Sequence, residues 1–223
     1  LEVSGSGFGS IATDEPLEYS GDYVSPEQII PQTGFKDSRG RNICWEACIT
    51  MNDNWGYCAK DKNFKPAEMI IKKLVECVSK NGNMMLNVGL RADGSLPETF
   101  RDELVKIGNW LKLNGEAIYD TRPFKVYGEG TFNMNVASGK KQYADYLYKF
   151  TAKDIRFTTK KNVIYIFTLD WPGNGETLKV QKLNNQELKN IQSISFLASG
   201  EKVKWTQDES GLYITTPAAP VGE

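Results

Sequence analysis

A chain of 223 residues with 27 basic and 28 acidic side chains carries a formal charge of -1, and 40% of it is hydrophobic. That balance excludes a disordered or fibrous protein and leaves no electrostatic footprint for nucleic acid or an anionic membrane. The absence of any histidine removes the general base of a Ser–His–Asp or Cys–His hydrolase and the usual ligand of a catalytic zinc.

Acid/base chemistry therefore falls to carboxylates first, with Lys or Tyr behind them. No apolar run reaches the roughly 18 residues of a bilayer span. The segment Leu1 to Ser10 lacks the basic and apolar regions of a signal peptide. Nothing cradles phosphate, since no GxGxxG follows a strand, and no cofactor or metal is expected.

Residues 1 to about 40 are polar and turn-rich, and residues 1–20 are linker-like, opening on Ser4-Gly5-Ser6-Gly7. Inside this region Tyr23 to Pro31 is apolar and acidic by turns, which predicts an ordered loop packed on a neighbour. Asn42 to Thr50 is a short apolar run interrupted by Glu46. Pro66 to Lys80 carries Ala67, Ile70, Leu74, Val75 and Val78 at helical spacing, with Asn81-Gly82 as its stop. Met84 to Val88 predicts a buried strand of a parallel sheet. Pro97 to Leu113 predicts a second helix with Phe100, Leu104, Ile107 and Leu111 on one face. Strand, helix, strand, helix is the order of βα units.

From about residue 123 the helical period vanishes. Asp145 to Phe150, Asp154 to Thr159, Val163 to Leu169, Thr177 to Leu183, Ile191 to Leu197, Lys202 to Thr206 and Leu212 to Thr216 predict short strands. Such spacing predicts an antiparallel sandwich, with the domain boundary near Thr121-Arg122-Pro123. A full (β/α)8 barrel takes about 250 residues. The two or three βα units here are therefore a small open domain or the C-terminal portion of something larger.

The cysteines Cys44, Cys48, Cys58 and Cys77 match no metal-ligand spacing. They read as small core hydrophobes, or as disulfide partners with three full pairings open.

Five ordered blocks carry a resemblance. They are Gly21 to Gln28 (GDYVSPEQ), Cys44 to Tyr57 (CWEACITMNDNWGY), Val78 to Gly89 (VSKNGNMMLNVG), and Asp93-Gly94 onward to Ile107-Gly108-Asn109-Trp110-Leu111 and Asn114 to Pro123 (NGEAIYDTRP). The last is the β-rich tail with Asp154 to Thr158 and Leu169 to Pro172. In this order they resemble the α-L-fucosidases, family 29 of the glycoside hydrolases, with Leu90 where the family usually has proline. The resemblance implies the C-terminal part of a (β/α)8-like barrel over 1–122 and a C-terminal β-sandwich over 123–223.

It further implies a retaining exo-α-L-fucosidase releasing terminal fucose from glycans or glycoconjugates, in a secreted, periplasmic or lysosomal setting. The family's nucleophile is an aspartate in a W.DG motif on an earlier strand, and its fucose-gripping histidine pair lies there too. Neither is present here. The resemblance thus implies an N-terminal barrel half, from the same or a separate chain, and a 223-residue piece inactive alone. The rival is a non-catalytic carbohydrate-binding or scaffold fragment centred on the sandwich.

Retaining glycoside hydrolysis needs two carboxyl groups about 5–5.5 Å apart, one nucleophile and one acid then base. The acid should be partly shielded and near the nucleophile's charge. The resemblance gives Glu27 this acid/base role in its PEQ block; the alternative is a solvated loop carboxylate. Glu46, in the WE block, is the alternative acid/base, against a structural ion pair or hydrogen-bonded carboxylate.

Trp55 is the candidate substrate-binding residue, because an aromatic face packs on the C–H side of a pyranose; otherwise it is a core tryptophan. Trp45, Trp110, Trp171 and Trp205 read as packing residues. Asn83 and Asn87 fall on one face of their strand, where structural hydrogen bonds are expected. Arg39 and Arg41 could reach a sugar hydroxyl, but a solvated loop is the expected place for them.

Overall fold

The computed structural model describes residues 23–131 and 149–218. The predicted linker-like start, and the predicted strand Asp145–Phe150 but for its last two residues, lie outside them. The chain divides into two units, with the division between Gly108 and Asn109.

In the first unit, strand β1 (Trp45–Thr50) is followed by helix α1 (Ala67–Ser79), strand β2 (Gly82–Asn87) and the start of helix α2 (Glu98–Asn114). β1 and β2 pair in parallel, Trp45 opposite Gly82 and Thr50 opposite Asn87. On the other side of β1 the predicted ordered loop makes isolated parallel bridges, Val24 to Trp45 and Glu27 to Cys48. β1 is thus the middle of three parallel segments.

Alternation along β1 sorts its two faces. Trp45, Ala47 and Ile49 are buried with Val24. Trp45 sits edge-on to Phe35 with ring centroids 5.7 Å apart, and its indole N–H donates to the Lys80 carbonyl at 3.1 Å. The opposite face carries Glu46, Cys48 and Thr50, continued in register by Asn83, Met85 and Asn87 of β2.

That face is open at its β2 end: Asn83 is exposed and Met85 is 47% exposed. The expectation of a strand buried on both sides is therefore corrected. β2 is covered on one face, and no described element covers the other.

Helix α1 starts behind Pro66, and Glu103 of α2 caps it by accepting the Ala67 amide at 2.6 Å. Of the face that helical spacing predicts, Ala67, Ile70 and Val75 are buried and Leu74 and Val78 half-buried, and Cys77 is buried beside them. Lys73, Glu76 and Lys80 are buried too, and Glu76 pairs with Lys80 one turn on. Buried charges persist when paired; an apolar period gives no sign of them.

All four cysteines are free thiols. Only Cys77 behaves as a core hydrophobe, its thiol pushed up to about 12 by burial. Cys44 is exposed and Cys48 and Cys58 are half-buried, so the reading of four core cysteines is corrected.

The second unit is antiparallel. β3 (Arg122–Glu129), β4 (Ile155–Lys160) and β5 (Val163–Thr168) form one three-stranded sheet, in that order. β6 (Thr177–Val180), β8 (Gly211–Thr215) and β7 (Trp205–Asp208) form the other, with β8 central. Ile155 and Phe157 from the first sheet share one core with Val180, Leu212 and Ile214 from the second.

β3 was not predicted. Pro123 suits an edge strand, and the register slips between Pro123 and Gly128, so no clean alternation marks it. The predicted strand Ile191–Leu197 is not a strand. It closes a tight loop instead: the Phe196 N–H donates to the Glu201 carbonyl at 2.8 Å and the Val203 N–H to the Ile194 carbonyl at 3.1 Å, around an isolated bridge between Ser195 and Lys202. Its apolar residues Ile191 and Ile194 instead cover the core.

Candidate active site

The carboxyl ends of parallel strands are where α/β proteins place ligand sites. Two of the three sequence-predicted residues meet there. The extended segment from Val24 ends at Glu27, in register with Cys48 near the end of β1. Trp55 stands on the loop that follows β1. Its indole N–H donates to Glu27 Oε1 at 2.8 Å. Trp55 is 40% exposed, so it is not a core tryptophan. Glu27 is exposed as well, without the shielding expected of an acid.

The backbone that delivers Glu27 is held from beneath. Gln28, immediately after it, adopts a left-handed φ of 58°, a conformation that non-glycine residues enter at a cost and keep where surroundings enforce it. Its amide donates to the Cys48 carbonyl at 2.8 Å. Its buried side chain clamps Thr50, Nε2 donating to Oγ1 at 2.8 Å and Oε1 accepting the Thr50 amide at 3.4 Å. Lys65, also buried, donates to the Asn52 carbonyl at 2.8 Å and to Thr50 Oγ1 at 3.3 Å.

Trp55's loop is tied by Asx-type bonds. Asp61 accepts from the Asp53 amide at 3.0 Å, Asn54 Nδ2 at 2.7 Å and the Asn63 amide at 2.9 Å. Burial opposes the charge on Asp61, yet these donors outweigh it and hold the carboxyl below its ordinary range. Asn63 Nδ2 closes the loop by donating to both Asp53 carboxylate oxygens at 3.0 Å. At the far side Gly89 comes so close that a Cβ would sit 2.8 Å from Gly56 C and Tyr57 N.

Glu46 lies on the open face of β1, half-buried and opposite Asn83. Among the described residues its carboxylate has no hydrogen bond or ion pair, so the expected structural partner is not found there. Cys48, one residue pair along, has its Sγ 3.2 Å from Ser25 Oγ. The structural hydrogen bonds expected of Asn83 and Asn87 are also missing among the described residues, and Asn87 Oδ1 is buried without a partner.

Arg41 folds back on Asp37, donating from Nε at 2.7 Å, and so belongs to its own loop. A cleft of about 220 Å³ opens beyond Trp55's loop, lined by Tyr57, Asp61, Phe64 and Arg91 among others, and holds none of the predicted site residues. Among the described residues no cluster of His, Cys, Asp or Glu fits a metal ion.

The sequence points to Glu27, Glu46 and Trp55 as candidates but not to the residues that hold two of them in place: Gln28, Lys65 and Asp61. The density of Asn and Asp between Asn52 and Asn63 was the available signal for the tied loop.

Comparison with known proteins points to one family. The family model for alpha-L-fucosidase matches residues 8–116, and that for the alpha-L-fucosidase C-terminal domain matches residues 149–222. The tissue alpha-L-fucosidase of Rattus norvegicus is 31% identical over 183 residues, which is 80% of this chain and 34% of the relative. The chain thus spans about a third of the length of that relative.

Among solved structures, alpha-L-fucosidase isoenzyme 1 from Paenibacillus thiaminolyticus matches with a TM-score of 0.71 and 32% identity, over 92% of this chain and 43% of its own. The Thermotoga maritima alpha-fucosidase, solved in complex with a mechanism-based inhibitor, matches with a TM-score of 0.67 and 25% identity, over 89% of this chain and 39% of its own. Two consecutive domain matches and relatives of one kind lead to a single assignment: the chain belongs to the alpha-L-fucosidase family.

Proposed function

We propose that this chain is the C-terminal part of a retaining exo-α-L-fucosidase, with residues 1–122 contributing the last strands of a (β/α)8-like barrel and residues 123–223 a β-sandwich. The substrate is a glycan or glycoconjugate ending in α-L-fucose. Glu27 protonates the departing glycosidic oxygen as the bond to the anomeric carbon breaks, then takes a proton from the water that releases fucose. Trp55 offers an aromatic face to the apolar side of the sugar. The nucleophilic aspartate, and the shielding that Glu27 lacks here, come from the N-terminal barrel half, in the same or a separate chain.

The observation that carries this reading is the hydrogen bond from Trp55 to Glu27 at 2.8 Å, which unites residues 28 apart in sequence at the carboxyl end of the sheet. A second reading gives the acid/base role to Glu46. It is favoured by a half-buried carboxylate with no bonding partner among the described residues.

The test is turnover of 4-nitrophenyl α-L-fucoside by the purified 223-residue chain and by the protein extended to its full barrel, with intact mass to detect a co-purifying partner. The expected result is hydrolysis by the full protein and none by the 223-residue chain. Hydrolysis by the chain unaided contradicts the external nucleophile. An inert full protein that still binds fucosides supports the rival, a non-catalytic carbohydrate-binding fragment.

A further inference from the structure

We infer that Trp55 is also a positioning residue for Glu27, one that decides which carboxyl oxygen carries the transferable proton. This inference rests on the reading of Glu27 as the acid/base and adds a second role to Trp55 beside its sugar contact. Indole is a donor only. With Trp55 Nε1–H donating to Glu27 Oε1 at 2.8 Å, that oxygen is an acceptor in either protonation state. The proton of the neutral carboxyl therefore resides on Oε2.

The geometry makes the two roles of Trp55 compatible. The N–H bond lies in the plane of the ring, so the hydrogen bond to Glu27 takes up an edge and neither ring face. The side chain remains 40% exposed despite the bond.

An exposed glutamate otherwise samples many rotamers, and fixing it costs conformational entropy. Here the donor is set in advance: the loop is tied through Asp61 and Asn63 and pressed against Gly89. The acceptor's backbone is set by the left-handed turn at Gln28 and its clamp on Thr50. A rigid pair on both sides is what a catalytic carboxyl needs to meet the glycosidic oxygen in one orientation.

Trp55→Phe keeps an aromatic ring and deletes the donor. Because Trp55 is partly exposed, the change removes no core residue. The experiment measures kcat and KM of the full-barrel protein on aryl α-L-fucosides whose leaving groups range from poor to strongly activated. Leaving groups that depart unaided need no protonation, so only the poor ones report on the acid.

For Trp55→Phe the expected result is a loss of roughly tenfold in kcat/KM, which reports the acid-assisted first step alone, on poor leaving groups, the equivalent of one hydrogen bond, with little loss of kcat/KM on activated ones. Trp55→Ala, which also removes the ring, additionally raises KM on every substrate. Glu27→Gln in the same series must show the same dependence on leaving group, more steeply. If it does and Trp55→Phe leaves kcat/KM unchanged or lowers it equally on all substrates, the positioning role is wrong. If Glu27→Gln shows no such dependence, it is the acid/base reading of Glu27 that fails.

Discussion

Gly82 shows how single contacts fix the framework beneath the site. It lies opposite Trp45 in the parallel ladder, and a Cβ added there would stand 2.3 Å from two carbons of the Trp45 ring. The ring cannot yield, since its N–H is bonded to the Lys80 carbonyl at 3.1 Å and Phe35 stands against it. Gly82→Ala is therefore expected to destabilise the first unit by about 1–3 kcal/mol, read as a lower urea midpoint in the purified chain. An unchanged midpoint would mean that Trp45 is not held as described. Asp61 belongs to the same scale: a partly buried carboxyl becomes a structural anchor because three donors converge on it.

Among the elements, α1 and α2 were legible from the 3.6-residue period that helix geometry imposes, and β1 and β2 as short apolar runs between turn residues. The two β2 faces were not, since an apolar sequence such as Met84-Met85-Leu86 reads the same whether one face or both are covered. β3 escaped because Pro123 and the slip before Gly128 break its alternation. The buried trio Lys73, Glu76 and Lys80 escaped because an ion pair at spacing of one turn looks like an ordinary solvated helix face.

The candidate site was legible as residue types in motif blocks, Glu27, Glu46 and Trp55. The meeting of Glu27 with Trp55 was not. The Glu27–Trp55 contact is produced by a left-handed residue at Gln28 and a loop tied by Asx bonds, and neither has a periodic signature.

At the scale of the whole molecule, pH acts on stability from both ends. Hydrogen bonds to Asp37 from the Arg41 and Arg39 backbone, to Asp93 from Ser95, to Glu103 from Lys106 and Ala67, and to Asp208 from Ser210 hold these carboxyls below their ordinary range. Their contribution is complete above the ordinary carboxylate range near pH 4 and is lost as pH falls through the depressed folded values.

Tyr165 is the opposite case: burial, then its hydrogen bond to Glu116 at 2.6 Å, pushes it up to about 12 from 10.0. The folded chain keeps a proton that the unfolded chain gives up, so this contribution is complete below pH 10 and lost as pH rises through about 12. Urea midpoints of the purified chain should fall on both flanks, and Tyr165→Phe should flatten the alkaline one. An alkaline flank untouched by Tyr165→Phe contradicts the assignment.

The proposed function rests in the end on which carboxyl donates the proton. In the full-barrel protein, Glu27→Ala still allows an activated aryl fucoside to form the glycosyl-enzyme, and azide fits the space vacated by the side chain. Two inversions at the anomeric carbon give retention, so the account predicts that azide restores turnover and that α-L-fucosyl azide accumulates. Absence of that product from Glu27→Ala, with its appearance from Glu46→Ala, would contradict the account and move the acid/base to Glu46.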